Sequence, residues 1–271
     1  FMLGQVAQMR HEVVSMKALH DSICVGSSAI LREFDVRAEP ASAAADVAII
    51  GMACIFPGAK DLDSYWKNIL IGADLITEVP DSRWNKATYF STDPGESQKS
   101  LSKWGGFIDY MEFDPLEFGI PPNSMAAIEP TQLLSLKVAK RALEDAGYAT
   151  RSFDRERTSV IFGAESGNDL GSAYGFRAQF PQFVGKIPEG LDEFLPTLTE
   201  DSFPGVLANV ISGRIANRLD LGGSNFTVDA ACASSLAALD IGVKELSSGE
   251  SDMVLCGGAD LHNSINDYLM F

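Results

Sequence analysis

The sequence predicts an α/β domain built on a largely parallel sheet, and three observations carry that expectation. Short apolar or β-branched runs at residues 47–51, 158–162, 225–228 and 253–256 alternate with segments whose apolar residues recur at helical spacing. Glycines punctuate the joins, at Gly51, Gly147, Gly163, Gly222-Gly223, Gly249 and Gly257-Gly258. The chain has 271 residues and is 46% hydrophobic, enough for a sizeable core in one large or two ordinary domains.

In chain order, residues 1–34 read as a helix or a pair of helices. Val6, Val13, His20 and Ser27 share one heptad position, and Met2, Met9, Met16, Ile23 and Ile30 another, a seam that weakens along its length and that Gly26-Ser27-Ser28 is expected to interrupt. A dimerising or docking helix and an amphipathic helix lying on a neighbouring domain both fit. Residues 39–45 are small and Pro-containing, so the domain boundary is placed there: a helical N-terminal segment and linker over 1–45, and a main domain over 46–271. Residues 47–51 suit a buried strand. Leu62, Tyr65, Trp66, Ile69 and Leu70 fall at helical spacing, and residues 77–118, with scattered Pro and aromatics, read as an irregular surface excursion. A helix is expected over 131–146 with Gly147 just past its end, then a strand at 158–162. Residues 166–201 show little period and suggest a loop or lid near a site. One helix is expected over 203–219, a strand at 225–228, a helix from Ser234 with Leu236, Leu239, Val243 and Leu246 on one face, and a buried strand at 253–256.

Net charge is −16, from 37 acidic and 21 basic residues, which argues against a nucleic-acid or anionic-membrane partner. The four cysteines, Cys24, Cys54, Cys232 and Cys256, are widely spaced and form no cluster with the three histidines, so neither a disulfide framework nor a metal site is indicated and a reducing, cytoplasmic compartment fits best. No apolar run approaches the roughly 20 residues that span a bilayer. The ends, at Phe1 and Phe271, read as those of a piece of something longer.

Residues 224–246 organise the rest. Cys232 lies between a strand and a helix, flanked by Ala230, Ala231 and Ala233. At a helix N-terminus the macrodipole and unpaired N–H groups favour a thiolate and can hold an oxyanion, and small neighbours leave room for a substrate. A reactive nucleophile and a packing cysteine remain the two readings at this level. Ser234 and Ser235 are read as capping residues. No G-x-S-x-G elbow or Ser–His–Asp order can be drawn, and His262, the one histidine of the main domain, reads as a polar residue at a strand end.

Asp229 to Leu236, DAACASSL, resembles the D-T-A-C-S-S-S-L active-site motif of β-ketoacyl synthases in polyketide synthases, departing at Ala230 and Ala233. VAIIGMACIFPG at 47–58 resembles the family's opening strand and turn, and 62–70 its Trp-containing helix. Residues 114–118 and 128–147 resemble D-x-x-F-F and M-D-P-Q-Q-R-L-L-L…A-L-E-D-A-G, with departures at Leu116, Glu117, Ile128, Glu129 and Thr131 and a missing arginine. Gly213-Arg214-Ile215 and Cys256-Gly257-Gly258-Ala259 fall where the family has G-R-I/V and G-G-V/A. Details around Cys232 look most similar to iterative synthases of the polyunsaturated-fatty-acid type.

The resemblance implies a thiolase-like layered αβαβα fold, of which residues 46–271 supply mainly the first half, with the 225–228 strand at a homodimer interface. It implies that Cys232 accepts an acyl chain from the phosphopantetheine arm of an acyl carrier protein, that its backbone N–H supplies half of an oxyanion hole, and that a decarboxylated malonyl-carrier then attacks the thioester. No cofactor is expected to bind tightly. The family's two histidines and lysine, and its glycine-rich oxyanion loop, are not recognisable in this sequence, so the whole reaction is expected of a longer parent. Expected partners are the carrier protein, neighbouring synthase domains and a second copy, with Arg151, Arg155 and Arg157 as the candidate docking patch or, equally, a solvated loop offset by Asp154 and Glu156. Two other functions stay open: a CoA-dependent condensing enzyme, and a non-catalytic scaffold partner of the same fold.

Overall fold

The structure, a computed structural model, describes residues 12–33 and 46–271, and the chain divides into units of residues 1–45 and 46–271. In the first unit, α1 (Met16–Glu33) runs without a break. The interruption expected at Gly26 does not occur, and Ser28 Oγ donates to the Cys24 carbonyl at 2.8 Å within the helix. Lys17 pairs with Asp21 at i,i+4. Of the heptad seam, Val13, Met16 and Ile23 are exposed, whereas Met2, Val6 and Met9 lie outside the described residues.

The second unit is organised on three parallel strands, β3 (Thr158–Gly163), β4 (Asn225–Val228) and β5 (Met253–Gly258), in the order β4-β3-β5. Val160 faces Asn225 on one side and Leu255 on the other. Every residue of the central β3 is buried, as its continuous apolar and β-branched run demands of a parallel strand covered on both faces. On one face, α4 (Pro130–Asp145) and α7 (Asn209–Arg218) set Leu133, Leu136, Ile211 and Ile215 against Val160 and Phe162. On the other, α8 (Ser234–Ser248) meets the sheet through Ser234, Ala238, Gly242 and Glu245. Helix, sheet and helix thus form three layers, with the C-terminal ends of all three strands at one edge.

Three expectations need correction. Residues 47–51 form no strand: they run extended past the end of α4, where Met52 N–H donates to Asp145 Oδ2 at 2.9 Å and a Cβ at Gly51 would meet the Ala142 carbonyl oxygen at 2.4 Å. With no ladder partner among the described residues, Ile49 is 76% exposed. Residues 166–201 are not irregular throughout but hold α5 (Asp169–Val184), started by Asn168, whose side chain accepts from the Gly171 N–H. Two glycines and the internal Pro181 blur its period. The helix expected over 203–219 is two, α6 (Ser202–Val206) and α7, broken at the extended Leu207, where Gln132 Nε2 donates to the carbonyls of Pro204, Gly205 and Leu207.

The excursion over 77–118 is mostly irregular but contains an antiparallel pair, β1 (Ile76–Glu78) with β2 (Trp104–Gly106), and the short α3 (Lys86–Tyr89). Trp84 and Val79 are buried in it, and Trp84 packs edge-on against Tyr268, near the end of the chain. The earlier α2 (Leu62–Ile71) is bounded by an Asp61–Ser64 capping box and a left-handed Gly72, yet leaves Trp66, Ile69 and Leu70 exposed. The chain closes with α9 (Ile265–Met270).

Candidate active site

Ligand sites in parallel sheets lie outside the carboxyl ends of the strands, and Cys232 stands there, after β4. As the sequence indicates, it lies between the strand and the helix, two residues before α8 begins, on a tight turn whose tip, Ala231, has φ +49°. Such a conformation is uncommon for a residue with a Cβ and is held from several sides. Asp229 Oδ1 accepts from Ala231 N–H at 3.0 Å, Ser234 Oγ accepts from Ala230 N–H at 2.8 Å and donates to Ala231 C=O at 2.7 Å, and the N–H groups of Ala233 and Ser234 bond back to Ala230 and Ala231. Ser234 therefore locks the turn instead of capping the helix, whose N-cap is Ala233. Cys232 is exposed, and its own N–H has no partner among the described residues. An exposed sulfur beside an open N–H has the disposition of a nucleophile next to an oxyanion donor.

Glycines let α8 sit directly on the strand ends. A Cβ at Gly163 would lie 2.4 Å from the Ser234 carbonyl carbon, and one at Gly258 would lie 2.7 Å from Ser235 Cβ. Leu236, 69% exposed, and Leu239 are not among the α8 residues buried on the sheet, and Phe226 of β4 is exposed as well. Cys256 is exposed as a residue too, but its sulfur packs onto α8, with Sγ donating to the Ala238 carbonyl at 3.4 Å. Burial and then the Glu245 charge push its thiol up to about 11.

His262 does more than end a strand. Its Nδ1 lies 2.8 Å from Asp260 Oδ1 and 3.8 Å from Glu165 Oε2, and its Nε2 bonds the Gly167 carbonyl, so it clamps the loop after β5 to the loop after β3. Burial pulls its pKa down, but the Gly167 carbonyl, Asp260 and Glu165 outweigh that and leave it raised. Glu129, buried nearby, accepts from Leu170 N–H at 3.2 Å, and burial raises its carboxyl pKa. Nothing in the sequence spacing signals either arrangement, since the partners come from different loops.

The Arg151, Arg155 and Arg157 group is not a free basic patch. Arg157 bonds Asp252 at 2.9 Å and the Gly249 carbonyl at 2.6 Å, Arg155 bonds the Leu219 carbonyl and stacks on Phe153, and Arg151 stacks on Tyr148. All three precede β3, at the edge of the sheet opposite Cys232. Among the described residues no cluster of His, Cys, Asp and Glu could hold a metal ion, and no helix is long and apolar enough to cross a membrane.

The fold and the cysteine turn define an α/β domain with an exposed thiol at the carboxyl ends of its parallel strands, and comparison with known proteins names its family. Residues 44–271 match the family described as "Beta-ketoacyl synthase, N-terminal domain", and the chain belongs to that family. It is 34% identical over 249 residues to polyketide synthase ThaG of Burkholderia thailandensis, covering 92% of this chain and 4% of that protein. To a polyunsaturated fatty acid synthase from a Thraustochytrium species it is 33% identical, over 83% of this chain and 8% of that protein. Among solved structures, the ketosynthase from module 6 of the bacillaene synthase of Bacillus subtilis 168 superposes with a TM-score of 0.61 at 28% identity, over 82% of this chain and 33% of that one. The fold is therefore the thiolase-like fold of ketosynthase domains, of which the chain covers the N-terminal half. The chain spans only a small part of the curated relatives it matches.

Proposed function

We propose that this chain carries the acyl-accepting cysteine of a β-ketoacyl synthase, and that the protein containing it condenses carrier-bound acyl groups. The observation that carries this reading is the Cys232 turn: an exposed sulfur beside an N–H that has no partner among the described residues, at the carboxyl end of a parallel sheet. In the first half-reaction the Cys232 sulfur attacks the carbonyl of an acyl thioester, and the Cys232 N–H donates to the oxyanion. The C–S bond to the phosphopantetheine thiol then breaks, and that thiol leaves with a proton. In the second, a carrier-bound malonyl group loses CO2, its carbanion forms a C–C bond to the Cys232-bound acyl carbon, and the cysteine sulfur is expelled as thiolate.

Substrates arrive on the phosphopantetheine of an acyl carrier protein, with no tightly bound cofactor, and the protein works in the cytoplasm beside neighbouring synthase domains. A homodimer forms through β4 and α8, where Phe226, Leu236 and Leu239 offer apolar surface that the described residues leave exposed. A polyketide synthase and a polyunsaturated fatty acid synthase match at 34% and 33% identity, so overall identity does not choose between those subclasses.

The test is acyl loading followed by intact mass. The protein incubated with an acyl carrier-protein thioester gains one acyl group, and Cys232→Ala gains none. Equal loading of Cys232→Ala overturns the nucleophile. Loading from acyl-CoA in preference to the carrier thioester would favour a CoA-dependent condensing enzyme, and no loading from either would leave the scaffold reading.

A further inference from the structure

A guanidinium taken partly out of water is stabilised by an opposite charge. Arg214 and Arg218 stand one turn apart on α7, the spacing that brings two side chains to one helix face, and both line a cavity of about 70 Å³ with Ser124, Asp201, Ile120 and Ile128. Arg214 is half-buried, and its Nε donates to Gln132 Oε1 at 3.0 Å. The orientation of Gln132 is fixed, because its Nε2 is already held by the carbonyls of Pro204, Gly205 and Leu207 at 3.0, 3.0 and 3.1 Å. Gln132 thus anchors the inner edge of the Arg214 guanidinium and leaves the terminal amino groups for the cavity. Neither arginine makes an ion pair among the described residues, and Arg218 makes no hydrogen bond there. Burial, and then the charge of Arg218, make Arg214 harder to keep protonated, and Asp201 offsets this only in part.

We propose that this cavity binds a phosphate-type oxyanion between the Arg214 and Arg218 guanidiniums. A carboxylate, that of Asp201, is already in the lining, yet it pairs with neither arginine and leaves two positive charges against one negative. A tetrahedral dianion supplies several acceptor oxygens to two forked guanidiniums and the Ser124 hydroxyl, and it reverses the local imbalance. The site is separate from the Cys232 turn. The start of α7 lies against β4, where Thr227 Oγ1 donates to the Ala208 carbonyl at 2.9 Å. Its end is tied through Leu219 to Arg155, which precedes β3, so Arg218 lies toward the opposite edge of the sheet. The proposal therefore stands whether or not Cys232 is acylated.

The experiment titrates the intact protein with inorganic phosphate at constant ionic strength, followed by phosphorus NMR line broadening, with phosphopantetheine and acetate as parallel arms. Saturable phosphate binding is expected. Arg218→Ala, an exposed substitution that leaves the core alone, weakens it about tenfold or more, the loss of one charge-assisted contact. Arg214→Lys also weakens it, while Arg151→Ala leaves it unchanged. Tighter binding of phosphopantetheine than of phosphate identifies a carrier arm as the source, and equal binding identifies free phosphate; both retain the site. Phosphate that fails to saturate, an Arg218→Ala variant that binds as well as the parent, or acetate that competes on equal terms overturns the proposal.

Discussion

The two faces of the sheet are covered by opposite means. On the α4 and α7 face, large aliphatic side chains fill the gap: Leu133, Leu136, Ile211 and Ile215 against Val160 and Phe162. On the α8 face there is almost no gap, because Ser234 meets Gly163, Ser235 meets Gly258, and Ala238 and Gly242 meet Cys256, with little side chain between them. Bulk packing supplies transfer free energy, about 25 cal/mol per Å² of apolar surface buried. Close approach supplies less of that but fixes one backbone against another, since packed interiors resist even small changes of volume. The nucleophile stands on the second kind of face. The first face holds the fold together, and the second sets where the Cys232 turn sits.

That division can be broken by experiment. Leu136→Ala, at a fully buried position facing β3, is expected to cost about 2–5 kcal/mol, read from the urea midpoint, while acyl loading per folded molecule stays unchanged. If loading falls in step with stability, the two faces are not separable.

Gly242→Ala is expected to cost about 1–3 kcal/mol by overpacking, since its Cβ would lie 2.3 Å from Cys256 Sγ. Here loading falls too, because α8 must shift. Adding Cys256→Ala opens the space and should restore both, and a double variant as poor as the single one would show that the contact is not the cause.

The smallest effect is electrostatic and belongs to the α4 side. Burial raises the Glu129 carboxyl pKa, so the folded state holds the proton more tightly than the unfolded chain. Its contribution to stability is then full below the ordinary glutamate value of about 4.3 and is lost as pH rises through the folded value. Glu129→Gln, which can still accept from Leu170 N–H, should match the parent at pH 4 and exceed it at pH 8 by less than either packing effect. A variant less stable than the parent at pH 8 would show that the ionised carboxylate is favoured there.

Much of this is readable in the sequence, and the misses share a cause. Strands β3, β4 and β5 announce themselves by β-branched and apolar runs between glycines, and α4 by its apolar period. Residues 47–51 carry the same signal, yet a strand is defined by its partner, and composition does not supply one. The four leucine and valine positions of α8 are equally clear as a stripe, but the stripe does not say which side meets the sheet. The small residues at Ala238 and Gly242 say so only once Cys256 is seen opposite them. Cys232 is legible from its motif and its neighbours. The left-handed backbone of Ala231 is not, because alanine gives no sign of positive φ. The arginines before β3 illustrate the converse: density in sequence suggests a surface, and their partners, Asp252 and Leu219, lie far along the chain.

The strand order also governs how the domain is assembled during synthesis. β3 is central, but both of its neighbours come later: Val160 pairs with Asn225 and with Leu255. At roughly 5–20 residues per second of translation, its first ladder partner emerges several seconds after it does, and the second later still. Over that interval an apolar strand has no neighbour on either side, and such unpaired edges are where nascent chains associate wrongly. The burial that makes β3 the most protected strand of the finished domain makes it the most vulnerable one before the domain is complete.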